Sequence, residues 1–425
     1  MQRPCWRLCF GLLLASGCLA QTGRPARALT WQEAEALFKA NNPTLLAGQA
    51  TIDEAKADEI TAYLRPNPDF TFSMDGTQIA PHRGVWQPFA GTFYTPSVSY
   101  LHEREHKREL RLAVARQATA IAVSAQADLE RNLLYNLRDA FIRVLQAKAV
   151  RDLARENLEY YDKEIEINRE RLKAGAMSRV DFERIEIQRV QYESDLESAE
   201  VDLRTAKIDL RTLLRDTTPL EQFDVTGEFD YEEPTLTLAE LHDIALHNRP
   251  DLKEAQQNLE QARTNHQLAI ANGSTDPTFS GWYTHNASTN NPFAYDTVGW
   301  SVSIPLRIFD RNQGEKAHTL IDIGRNEKLR DAAQLQVLHD VDSAYATLES
   351  TLELLRPYKT KYLKEAADIR DTVSFSYLHG AASLLDFLDA QEQYRSTRLN
   401  YLNLVGSYLS AANQLNLAVG REVMR

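Results

Sequence analysis

The string LKAGAMSRVDF at positions 172–182 returns as YLHGAASLLDF at 377–387. Both copies place a glycine (Gly175, Gly380) ahead of a serine (Ser178, Ser383), an aspartate three positions further on (Asp181, Asp386) and then a phenylalanine (Phe182, Phe387). A glycine at such a point supplies the positive φ that stops a helix. The Ser-x-x-Asp spacing that follows is that of a capping box, with Asp in place of the usual Glu or Gln. Each string therefore reads as a tight turn between two helices. Asp389 lies three residues beyond Asp386 on the same helical face, too far inside to cap.

The helices on either side are long. From Ser97 to Ala174 there is neither Gly nor Pro, and 70 residues of helix from Glu103 to Leu172 would span about 105 Å, wider than a globular core. The return segment, Ser178 to Arg215, carries a seam at steps of three and four: Phe182, Ile185, Arg189, Tyr192, Leu196, Ala199, Leu203, Ala206, Leu210 and Leu213. Such a repeat makes helices supercoil around one another. The return helix is about half as long as the outgoing one, and the helix from Thr44 to Leu64 is expected to stack end to end on a return helix. Each copy would then supply one long rod and one rod of two pieces. Pro357, inside the second outgoing helix, is expected to kink it.

Further out, Leu29-Thr30-Trp31 through Asn42-Pro43 matches Leu236-Thr237-Leu238 through Arg249-Pro250 at nearly the same offset as the turns. The chain is a duplicated domain. The first repeat runs from 29 to 215, with strands within about 66–101 and a helix hairpin over 103–215. A linker covers 216–235. The second repeat runs from 236 to 420, with strands within about 275–306 and a hairpin over 314–419. The strand signal is period-two alternation. In Val298-Gly299-Trp300-Ser301-Val302-Ser303-Ile304 every second residue is large and apolar, as suits a sheet with one oily and one wet face. Alternation alone also fits a half-buried sheet in a soluble domain.

The charge of -12 argues against a nucleic-acid binder held by bulk charge. All three cysteines fall within the first eighteen residues, so the rest of the chain has no disulfide framework and no Cys-based zinc site. Arg3 and Arg7 precede an apolar run and then small residues, which is the plan of a secretory signal over 1–20. Cleavage after Ala20 and cleavage before a lipidated Cys18 both fit the string. No later stretch has about 18 consecutive apolar residues, so a membrane crossing would fall to strands. His102-Glu103-Arg104-Glu105-His106 matches the zinc-protease string, but its charged surroundings suit a solvated helix start instead. No metal site, cofactor or catalytic constellation is expected, and the chain is not read as an enzyme.

The Leu-Thr-Trp opening with Asn42-Pro43 and the run from Ile304-Pro305-Leu306 to Gln313-Gly314 carry a resemblance, together with the paired turns, the run from Leu384 to Gln391 and Leu417-Ala418-Val419-Gly420. In these the chain resembles the TolC-type outer-membrane efflux family, and the 305–314 string looks most like its heavy-metal, RND-associated branch. The resemblance implies a mainly α protein with transmembrane β: a homotrimer forming a twelve-stranded β-barrel continuous with a periplasmic α-helical barrel. Four strands per chain are too few to close a barrel alone. It implies outer-membrane lipid, a periplasmic adaptor protein and an inner-membrane pump of RND type as partners, and no nucleic acid. The activity implied is passive exit of small molecules or metal cations through a gated periplasmic tip, or export of polypeptides in a type I secretion system. A coiled-coil interaction protein confined to the periplasm is a further alternative. Carried over by position, Asp386 and Asp389 are the ring acids of the gate, Tyr377 is a latch and Asp181 its partner. Gly175, Ala176, Ser178, Gly380, Ala381 and Ser383 are the adaptor-contact tip. Some members place an arginine where this chain has Ala382, which removes one charged latch.

Overall fold

The computed structural model describes residues 28–286 and 295–424. The signal segment and Cys18 lie outside the described residues. Both repeats follow one order: two helices, a strand pair, a long outgoing helix and a return helix. The first repeat has α1 (Trp31–Asn41), α2 (Pro43–Tyr63), β1 (Asp69–Asp75), β2 (Phe93–Leu101), α3 (Lys107–Lys173) and α4 (Arg179–Leu214). The second has α5 (Leu238–Asn248), α6 (Pro250–Asn272), β3 (Thr278–Asn286), β4 (Asp296–Ser303), α7 (Gln313–Pro357), α8 (Leu363–Leu378) and α9 (Leu384–Val419).

Local chemistry sets the element starts. Thr30 and Thr237 form reciprocal capping boxes with Glu33 and Glu240. Pro43 and Pro250 open α2 and α6 at the position where a missing N–H costs nothing. The repeats then diverge at one residue. Asn42 caps α2 by accepting from the backbone N–H groups of Thr44 and Leu45, whereas the matching Arg249 makes no cap. It turns inward instead, to Asp251 at 2.6 Å, Asp340 at 3.0 Å and the Ala418 carbonyl at 3.0 Å.

The 67 residues of α3 make a rod about 100 Å long. Its partner is composite. Near the sheet, α2 lies along it, with Gln126 donating to the Leu45 carbonyl at 3.0 Å and Thr119 to Glu59 at 2.6 Å. Further down α4 takes over, with Tyr161 donating to the Ile185 carbonyl at 3.2 Å. The α4 seam buries Phe182, Ile185, Tyr192, Ala199, Leu203 and Leu210. Arg189 lies at the seam's edge, bonded to Asp162 at 2.6 Å. The seam ends one residue later than the sequence reading has it: Leu214 is buried and Leu213 is exposed. An α-helix drifts against a seven-residue repeat, and the register slips over a helix this long.

The two repeats build matching cores with exchanged sizes. Ala34 and Phe38 of α1 are buried in the first, and Leu241 and Ala245 occupy the equivalent positions in the second. Small-then-large in one copy corresponds to large-then-small in the other, and total volume is roughly kept, the kind of exchange cores tolerate best.

Pro357 does not end its rod. A single π turn, Tyr358–Tyr362, follows it, and the backbone stays right-handed helical through Tyr358 and Leu363. The repeat explains why. Leu137 and Val144 correspond to Val341 and Leu348, all four fully buried, while Gly175 corresponds to Gly380. The second rod thus carries one residue more between core and turn. A π turn is how a helix absorbs one extra residue, and the proline supplies the place where the ordinary ladder is already open.

The strands form one antiparallel sheet in the order β1-β2-β3-β4, and the central β2–β3 pair joins the two repeats.

Candidate functional site: a two-faced sheet and paired hairpin tips

Residues directly opposite in an antiparallel sheet share a face. The register sets Val98 opposite Phe70 and Gly281, and Phe279 opposite Tyr100 and Val302. Tyr94, Val98, Tyr100, Trp300 and Val302 therefore lie on one face, with Phe70, Phe72 and Met74. Thr71, Ser97, Ser99, Ser301 and Ser303 lie on the other, where Thr95 and Thr284 share a hydrogen bond at 3.1 Å. The large apolar exceptions on the hydroxyl face are Phe93 and Leu101 at strand ends and Trp282, whose ring occupies the space left free by Gly299. Among the described residues nothing covers the oily face: Val298 is 84% exposed and Trp300 82%. A half-buried sheet in a soluble domain would have packed this face against a core, and a contiguous apolar surface of this kind marks contact with lipid or protein. Among the described residues no helix is long and apolar enough to cross a membrane.

At the far end of the rods are the two turns. Gly175 has φ +73° and Gly380 φ +76°. The Ala176 N–H donates to the Arg171 carbonyl at 2.9 Å and the Ala381 N–H to the Ser376 carbonyl at 2.8 Å, the six-to-one bond of a Schellman cap. A Cβ at either glycine would meet nothing within 4 Å, so the requirement is conformational and not spatial. Gly175→Val or Gly380→Val is expected to cost roughly 1–2 kcal/mol of turn stability, read as faster amide exchange at the substituted turn.

Beyond each turn the serine caps the return helix. Ser178 accepts from the Asp181 N–H at 3.1 Å and its hydroxyl donates to the Asp181 carboxylate at 2.8 Å. At Ser383 the box is reciprocal, with the Ser383 N–H donating to Asp386 at 3.0 Å and its hydroxyl at 2.7 Å. These bonds, the hydroxyl first and then the backbone N–H, hold the exposed Asp386 carboxyl below its ordinary value. Asp389 is exposed and accepts from Gln393 at 2.7 Å.

Tyr377 is buried. Its ring stacks on Phe387 at 4.9 Å, the Arg171 guanidinium lies over it at 4.7 Å, and its hydroxyl donates to Asn168 at 3.2 Å. In this protomer the tyrosine ties α8 to α3, so the two hairpins are fastened to each other. Burial raises its hydroxyl pKa above the ordinary tyrosine value, Arg171 pulls it down without cancelling that, and the Asp181 charge adds to the rise. Asn168 and Arg171 gave no signal in the sequence. They sit on a helix rich in polar residues, and only the approach of the second hairpin distinguishes them.

The zinc-protease string is not on a helix. Glu105 and His106 each have φ 55°, in the turn before α3, so the two imidazoles are not placed one helical turn apart as that chemistry requires. Glu103 is instead paired with Arg111.

Comparison with known proteins agrees with this geometry. The model of the family described as outer membrane efflux protein matches residues 36–214 and 241–421, one match in each repeat. The cobalt-zinc-cadmium resistance protein CzcC of Cupriavidus metallidurans is 23% identical over 394 residues, 92% of this chain and 90% of its own. Crystal structures of CusC superpose with a TM-score of 0.76 at 19% identity, covering 92% of both chains. The open-state MtrE outer membrane channel of Neisseria gonorrhoeae does so at 0.71 and 17%, covering 93% of this chain and 90% of that one. Since the family model matches most of both repeats, and the oily sheet and long rods have the fold of those channels, the chain belongs to the outer membrane efflux protein family, whose members are outer-membrane channels with a large periplasmic portion.

Proposed function

We propose that three copies of this chain close one duct, an exit for divalent metal cations that works with a periplasmic adaptor and an RND-type inner-membrane pump. The observation that carries this reading is the four-stranded sheet with an uncovered oily face, a hydroxyl face and, among the described residues, margins at β1 and β4 that pair with no other strand. An open sheet margin with one lipophilic face cannot persist in a bilayer, where every backbone group needs a partner. Pairing β4 of one copy with β1 of the next supplies one, and three copies give a barrel with hydroxyls inside. The cation cargo rests on the likeness to a cobalt-zinc-cadmium resistance protein, which also favours efflux over polypeptide export.

The test has two parts. Cysteines facing across the β4–β1 junction should cross-link to a trimer, and a stable monomer in lipid would overturn the reading. Deleting the protein should sensitise cells to cobalt, zinc or cadmium; sensitivity to organic compounds alone would leave the duct and remove the metal cargo.

Asp386 and Asp389 are proposed as the acids that ring the entrance. Replacing both with Ala should weaken block by multivalent cations, since fixed acids concentrate cations locally, and should raise single-channel conductance by loosening the closed entrance, an effect that outweighs the lost local cation concentration. Because Asp386 also caps α9, Asp386→Asn with Asp389→Asn is the control that removes charge while keeping an acceptor. Unchanged conductance in both pairs would count against the ring.

A further inference from the structure

The search converges on a carboxyl that neither the gate nor the caps use. Glu164 lies on α3, two helical turns from the Arg171 end, and only 7% of its surface is exposed. Among the described residues its Oε2 has no hydrogen-bond partner. The side chains around it cross from one hairpin to the other. Gln391 of α9 donates to Ser374 of α8 at 3.2 Å and to the Tyr160 hydroxyl of α3 at 3.5 Å. One turn below, Asn168 accepts from Tyr377. The titratable and charged groups facing Glu164 are Tyr160 and Tyr161 on its own helix and Arg370 and Tyr377 on α8. From α9, Tyr394 lies against the Arg370 guanidinium at 4.0 Å, and Arg370 is itself paired with Asp371 at 2.7 Å. No bonded cation reaches the free oxygen.

A charged carboxylate with an orphaned oxygen in such a layer carries a large desolvation cost, whereas the neutral acid does not. We propose that Glu164 is a proton-binding residue that couples the packing of the two hairpins to periplasmic pH: protonated while the hairpins are packed, ionised when they part and water reaches it. The inference rests on the reading of the tips as the entrance of a duct.

The chemistry of the layer supports the direction. Burial raises the Glu164 carboxyl above its ordinary value, and the Tyr160 hydrogen bond and the Arg370 charge pull the other way without cancelling it. The packed state then holds the proton more tightly than the parted state. Packing is strongest at acid pH and weakens as the pH climbs from the ordinary carboxylate value through the raised one. Each unit between the two values changes the ratio of packed to parted by about tenfold.

The experiment uses the full-length protein in detergent and in planar bilayers, from acid to neutral pH. Amide exchange over residues 371–378, corrected for the intrinsic effect of pH, should speed up in the wild type as the pH rises. In Glu164→Gln, a neutral isostere, it should stay slow throughout. Bilayer conductance should follow the same pattern, rising several-fold with pH in the wild type and remaining low and flat in the variant. Wild-type exchange that ignores pH overturns the proposal by itself, and so does a variant that titrates like the wild type. A wild type that conducts at no pH removes the duct reading alone, because the exchange measurement still decides Glu164.

Discussion

Replacing Phe387 with alanine is expected to loosen the periplasmic tip. The side chain is fully buried and stacked on Tyr377, and truncating a buried phenylalanine typically costs about 3–5 kcal/mol through lost transfer energy and the cavity left behind. The loss falls where α8, α9 and the tyrosine that reaches α3 meet, so the fastening between hairpins weakens with it. Conductance should rise and the amides of the second turn should exchange faster, while exchange in the sheet is unchanged. The equivalent Phe182 makes a control: it is slightly more exposed and has the Arg169 guanidinium 6.0 Å from its ring, so Phe182→Ala should cost less. Equal effects from the two would show that stacking on Tyr377 adds nothing.

Arg249→Ala should destabilise the protein by about 3–5 kcal/mol, because removing one partner of a buried ion pair leaves the others uncompensated. Only 4% of the Arg249 side chain is exposed, and it is the point at which α6, α7 and the end of α9 are joined. Asn42, at the same place in the first repeat, caps its helix instead, so Asn42→Ala should cost about 1 kcal/mol. Chemical unfolding of the solubilised protein measures both. The network also has a pH signature. Burial raises the Asp251 carboxyl, but Arg249 outweighs it and the net shift is downward from 3.8. A carboxyl lowered by folding contributes stability that is present above its unfolded value and is lost as the pH falls through the folded one. The part of the acid sensitivity that comes from Asp251 should shrink in the Arg249 variant, although Arg131 still lies 4.0 Å from that carboxylate; an unchanged acid limb would place the effect at other carboxyls held low by folding, such as Asp224, Asp276 and Asp386.

These two sites show where sequence reading stops. The glycine turns, the serine caps and the proline starts of α2 and α6 each depend on atoms a few residues apart, so their reading needed no knowledge of the neighbours. Tyr377 was legible as a tip residue by its position before Gly380, but its bond to Asn168, its stack on Phe387 and the guanidinium above it were not. Asp386 was legible as a cap, and the capping bonds are what the protomer displays; its role as a ring acid comes from the resemblance and stands as a proposal. Asp389 stands on the same exposed face and accepts from Gln393. The duplication exposed Arg249 as a mismatch with Asn42 without saying what the arginine does.

By itself, then, the sequence determined the rods, the turns, the two-faced strands and the fact that the unit occurs twice. Periodicity and capping act over one or two turns of chain, within the reach of local sterics and hydrogen bonds. Tertiary structure alone decided which polar side chains are buried. Glu164 is one of several glutamates on α3 and differs from Glu159 or Glu166 only because the second hairpin lies over it. The same holds for the π turn after Pro357 and for Leu214 closing the α4 seam in place of Leu213. Burial is a property of the neighbour that arrives, and residues far apart in the chain choose that neighbour.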